Sequence, residues 1–147
     1  MKFNPAATVA LIAGAALLTS FAASACDLKV DSAWIRTAPP SASTLAGYAV
    51  LSNTGGDTLK ITETSAPSMQ MAMLHETTLV NGVAQMRSLD SLSIPAGGQL
   101  LLSPGGKHLM LMGMKAVPKA GDHVTIIFKD SHGCATSAEF SVQASAP

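Results

Sequence analysis

Two histidines and two methionines stand at intervals that strand geometry can gather into one site: His75 and Met86, then His108 and Met110. Imidazole nitrogen and thioether sulfur are uncharged donors, and a set without an anionic member suits a soft monovalent ion better than a hard divalent one. Cu(I) is the natural occupant. Structural zinc would want thiolates or more histidines, and calcium or magnesium would want carboxylate oxygens, none of which accompany this set. A blue-copper electron-transfer centre needs a cysteine thiolate, usually followed closely by His and Met, and neither residue occurs after Cys134.

The elements that must position these side chains read as short strands. Apolar stretches alternate with turn residues throughout, and no window of helical length carries a 3.6-residue stripe. The pattern predicts strands over Leu28 to Arg36, Gly47 to Asn53, Leu59 to Ser65, Met71 to Leu79, Gly82 to Leu89, Gly98 to Leu102, Lys107 to Met112, His123 to Lys129 and Ala135 to Val142. Breakers such as Pro39-Pro40, Thr54-Gly55-Gly56-Asp57, Pro95-Ala96-Gly97-Gly98 and Pro104-Gly105-Gly106 lie between them. An all-β sandwich or barrel of Greek-key type follows.

The hairpin signal is Asn81-Gly82, because both central residues of a type I′ turn need positive φ. Pairing Val80 with Val83 puts Thr77 opposite Met86 and His75 opposite Ser88, which makes His75 and Met86 diagonal neighbours on one face. His108 and Met110, two residues apart in a strand, share a face at about 6.6 Å of backbone rise. Each strand pair thereby offers one imidazole and one thioether.

Composition bounds the remaining classes. Of 147 residues, the first 25 read as an export signal: Lys2 as the only charge, the apolar run Ala6 to Leu18, and Ala23-Ser24-Ala25 before the cleavage point. Residues 26–147 then form one copper-binding domain, exported to the periplasm, with no later stretch near the roughly 20 apolar residues that spanning a membrane requires. Removing one lysine from nine basic and nine acidic residues leaves eight against nine, and the eight are scattered singly, which excludes a nucleic-acid partner. Cys26 and Cys134 can form a disulfide in an oxidising compartment. A lipid anchor on Cys26 ranks second, since Ala23 stands where a lipobox usually has Leu, and two free thiols rank third.

The spacing His75, ten residues, Met86, twenty-one residues, His108, one residue, Met110 resembles the signature of the periplasmic copper chaperone family called PCuAC. Trp34-Ile35-Arg36, Gly47-Tyr48 with Asn53, His75-Glu76, Met86-Arg87, Ile94-Pro95-Ala96-Gly97-Gly98 and Pro104 through Leu111 extend the resemblance over nearly all of the mature chain. It implies a cupredoxin-like β-barrel, with His75, Met86, His108 and Met110 at the Cu(I) ligand positions. It also implies delivery of copper to an accepting protein, toward the CuA centre of a cytochrome c oxidase subunit or to a thioredoxin-like assembly factor. This chain departs from many relatives in having Leu74 and Glu76, not Met, beside His75. It also ends without a His- and Met-rich tail, so a single Cu(I) site is expected.

Other residues read more plainly. Met69 and Met114 are core filler, the usual work of a strand methionine. Met71, Met73 and Met112 share strand parity with the ligand candidates and either pack, line the site or serve as reserve donors. His123 and His132 are surface or turn histidines, Trp34 and Tyr48 anchor the barrel, and Arg36 is solvated or salt-bridged. Ligand imidazoles normally donate their second N–H to an acceptor, for which Glu76 and Asp90 are candidates by proximity. The expected class is a carrier and not an enzyme. Its rivals are a copper-sequestering protein, a copper redox or electron-transfer protein, and a β-sandwich interaction module.

Overall fold

The computed structural model describes residues 25–147, so the expected export signal falls outside the described residues except for Ala25. Ten strands are formed among the described residues: β1 (Leu28–Arg36), β2 (Thr44–Asn53), β3 (Leu59–Ser65), β4 (Met71–Val80), β5 (Val83–Ser88), β6 (Leu92–Ile94), β7 (Gln99–Leu102), β8 (Lys107–Met112), β9 (His123–Asp130) and β10 (Ala135–Gln143). Their hydrogen-bonded order is β5-β4-β8-β2-β1-β10-β9-β3-β6, with β7 added to β2. Only β1 and β10 run parallel; the other pairings are antiparallel. The sheet curls far enough for Thr64 on β3 to donate its hydroxyl to the Ala72 carbonyl on β4 at 2.7 Å.

Strand alternation builds the core. In β9, Val124, Ile126 and Phe128 point inward between more exposed neighbours, and in β8 Leu109 and Leu111 do the same. They meet Ile35, Leu51, Ile61, Ile94 and Phe140, all fully enclosed. Burying large apolar side chains of this kind contributes about 1.5–3 kcal/mol each. Met69 and Met114 pack against this cluster as filler.

One irregularity changes which side chains face outward. Ser32 adopts φ 49° and the β1–β2 register shifts between Asp31 and Trp34, which is a bulge. Before it Leu28 faces the core; after it Ile35 does, so Trp34 and Arg36 emerge on the opposite face. There Trp34 stacks on its cross-strand partner Tyr48 at 4.8 Å between centroids. The Arg36 guanidinium lies 5.8 and 5.9 Å from the two rings, a cation–π arrangement.

Two polar devices hold the ends. Cys26 and Cys134 form a disulfide, with Cα atoms 5.8 Å apart, that joins the chain just before β1 to the start of β10. Asn53, 2% exposed, donates through Nδ2 to the carbonyls of Asp57, Ile94 and Pro95 and accepts from the Gly55 N–H. It ties the end of β2 to the β2–β3 loop and to β6. That strand, three residues long, is too short to register as a period in the sequence. Asn53→Ala should strip three carbonyls of their donor and cost about 2–4 kcal/mol in urea unfolding; a loss below about 0.5 kcal/mol would refute this role.

Candidate metal centre

β4 lies between β5 and β8, and its pairing to both decides what its outward face carries. The β4–β5 hairpin turns at Asn81 (φ 52°) and Gly82 (φ 78°), the two positive values a type I′ turn demands. Val80 pairs with Val83, Thr77 with Met86 and His75 with Ser88, the register the turn predicts. On the other side His75 pairs with His108, Met73 with Met110 and Met71 with Met112. Because Ala72 and Leu74 face the core, the odd residues of β4 face away from it, and their partners on β5 and β8 share that face. The structure therefore brings His75, Met86, His108 and Met110 together on one surface.

The two imidazoles meet edge to face, with centroids 6.0 Å apart. His108 is 6% exposed, and its Nδ1 lies 3.0 Å from the Gly106 carbonyl. A carbonyl only accepts, so Nδ1 carries the proton and Nε2 keeps its lone pair for a ligand. The same carbonyl accepts the Thr77 N–H, which fixes the ring to the neighbouring strand. His75 Nδ1 is buried and has no hydrogen-bond partner among the described residues. Leaving such an atom unsatisfied costs about 1–3 kcal/mol, so it favours a bound cation or water. Met86, 53% exposed, Met110 and His108 line an open cleft of about 270 Å³, which Arg36 also lines.

The expected acceptors are not the ones found. Glu76 points to the opposite face, where its carboxylate takes Arg87 at 2.6 Å and Lys107 at 2.7 Å. The Lys107 hydrogen bond first, and then that of Arg87, holds its pKa below the ordinary carboxylate value. Asp90 is exposed. The acceptor at His108 is a backbone carbonyl two residues back, which no side-chain pattern announces. His123 and His132 are exposed and separate from the donor face. Among the described residues no group of three or more His, Cys, Asp or Glu is placed to hold a metal, and both cysteines are bridged. The face therefore presents neutral nitrogen and sulfur and no anionic ligand.

The sequence profile of the LpqE-like family matches residues 28–142. The chain belongs to this family. Cu(I)-DR1885 of Deinococcus radiodurans, determined in solution, is 33% identical with a TM-score of 0.65, over 83% of this chain and 82% of that one. Lxx21020 of Leifsonia xyli subsp. xyli (strain CTCB07), named as a lipoprotein, is 35% identical over 107 residues, 72% of this chain. The matched segment spans 63% of that relative's length. The copper-bound PCuAC domain from PmoF2 superposes with a TM-score of 0.66 over 81% of this chain and 94% of that domain, at 13% identity, a likeness of fold. This LpqE-like chain thus has the cupredoxin-like architecture of PCuAC domains, and the resemblance drawn from the ligand spacing is to the same type of family.

In the LpqE-like chain, burial of His75 first, and the nearby His108 second, lowers the His75 pKa from its ordinary 6.5. The folded state therefore binds this proton more weakly than the unfolded chain does, and its stability falls as pH drops from 6.5 through the depressed value. NMR titration of the copper-free protein should place the His75 midpoint below 6.5, and His75→Gln should flatten the stability loss between that midpoint and 6.5. A midpoint above 6.5 would contradict this.

Proposed function

We propose that this LpqE-like protein is an extracytoplasmic copper carrier that holds one Cu(I) with His75, Met86, His108 and Met110 and passes it to another protein. The observation that carries this reading is the pairing of His75 with His108 across β4 and β8, with Met110 two residues on and Met86 diagonal on β5. Two imidazoles and two thioethers match the softness and single charge of Cu(I). A carrier is favoured over a blue-copper redox protein because both sulfurs that could supply a thiolate are joined in a disulfide.

Delivery is favoured over sequestration by access. Met86 is more than half exposed and the cleft is open, so ligands of an incoming protein can replace the thioethers and imidazoles one at a time. Leu79, 75% exposed on the same strand face as His75, gives that partner apolar surface beside the donors. The acceptor implied by the PCuAC resemblance is an oxidase CuA subunit or a thioredoxin-like assembly factor. Export to the periplasm fits residues 1–25 as a signal and the Cys26–Cys134 bridge. A Cys26 sulfur engaged in that bridge is not free to carry a lipid, which favours an unanchored form.

Met86→Ala removes an exposed side chain, so stability should change by less than about 0.5 kcal/mol. In competition with a chromophoric Cu(I) chelator its affinity should fall at least about tenfold, the lower end of what losing even an outer metal partner costs. His108→Ala should weaken binding as well. Unchanged affinity in both variants would defeat the assignment.

A further inference from the structure

Beyond the four proposed ligands, the donor face continues along the same ladder. His75 and His108 form one rung, Met73 and Met110 the next, and Met71 and Met112 the one after. Three consecutive same-face rungs between β4 and β8 are thus built only from uncharged nitrogen and sulfur donors, the last two from soft thioethers alone. Side chains directly opposite across an antiparallel pair have Cβ atoms about 4.5–5.5 Å apart, and successive same-face rungs lie about 7 Å apart. A methionine sulfur sits beyond two flexible methylene groups, so the sulfurs of Met71, Met73 and Met112 can converge on one ion.

These three side chains are not consumed by the core. Ala72 and Leu74 of β4 and Leu111 of β8 are the residues turned inward. Met71 is 50% exposed, while Met73 and Met112 are half-buried. β5 pairs with β4 only from His75 onward; beside Ala72 that flank is approached by β3, whose Thr64 hydroxyl donates to the Ala72 carbonyl. The local backbone is nevertheless fixed: the Gln70 N–H bonds to the Met112 carbonyl at 3.0 Å, and Gly113 (φ +71°) turns the chain away. A Cβ at Gly113 would lie 2.5 Å from the Gln70 side chain, so this close exit from β8 requires glycine.

We infer that Met71, Met73 and Met112 form a second, all-thioether site for a soft monovalent cation, made from the rung beyond Met110 together with Met73, the cross-strand partner of Met110. Uncharged thioethers select Cu(I) or Ag(I) over divalent ions. With no imidazole, this site is the weaker of the two. The shared neighbour Met110 lets an ion pass between the rungs by exchange of sulfur ligands, with no change in its charge. The second site rests on the copper reading only for the identity of its cargo.

The test is a Cu(I) titration, under strict exclusion of oxygen, of the disulfide-bonded protein, followed by the methionine methyl resonances. The first equivalent should shift Met86 and Met110, and the second should shift Met71, Met73 and Met112. A double variant, M71L with M112L, keeps side-chain volume and should retain the first equivalent while losing the second. A second equivalent that moves none of the three methyls, no second equivalent at all, or a second equivalent undiminished in the double variant would overturn the inference. A separate variant, H75A with H108A, reports on the first site: an unaltered first equivalent there would defeat the carrier reading and leave the methionine result to stand by itself.

Discussion

The antiparallel register that sets β4 against β8 is the constraint on which the donor face depends. Side chains alternate along a strand with a period of two, so a slip of one residue would send His75 inward and bring Leu74 out. Several features hold the register. Ala72, Leu74, Leu109 and Leu111 need the core, and the Asn81-Gly82 turn fixes β5 on β4. Gly106 offers one carbonyl to both Thr77 N–H and His108 Nδ1. The face that chemistry needs is therefore specified by residues that take no part in the chemistry.

The same sheet separates charge from the donors by using its two faces. Glu76, adjacent to His75 in sequence, is directed to the opposite face and engaged by Lys107 on β8 and Arg87 on β5. These cross-strand pairs join all three strands that carry the site and keep a hard anionic oxygen away from it. The disulfide removes the only two sulfurs that could become thiolates. What remains is a neutral, soft surface, with Arg36 stacked over Trp34 and Tyr48 at its border. A cation held there keeps its own charge, which disfavours a tight trap and favours exchange.

Much of this was legible in the residues. Turn chemistry at Asn81-Gly82 determined the β4–β5 pairing to the residue, and period-two alternation found nine of the ten strands, with β6 missed. The pairing of β4 with β8 joins segments distant in the chain, which local patterns do not encode; there the grouping of His75 with His108 came from the ligand spacing of a known family. The Ser32 bulge, which reverses the parity of β1 and turns Trp34 and Arg36 to the donor side, has only Asp31-Ser32 to mark it, a pair with neither Gly nor Pro inside an otherwise strand-like run. Nor does the role of the Gly106 carbonyl, since a backbone acceptor is the same in every residue. Proximity in sequence suggested Glu76 instead, and strand alternation is the reason that suggestion fails.

The account stands on two ring nitrogens and two sulfurs sharing one cuprous ion. X-ray absorption at the copper edge, on protein loaded with one equivalent of Cu(I) in the absence of oxygen, counts those donors directly. The prediction is a Cu(I) edge with a shell of two nitrogen and two sulfur scatterers. A shell of oxygen and nitrogen without sulfur, or with a single imidazole, would contradict it.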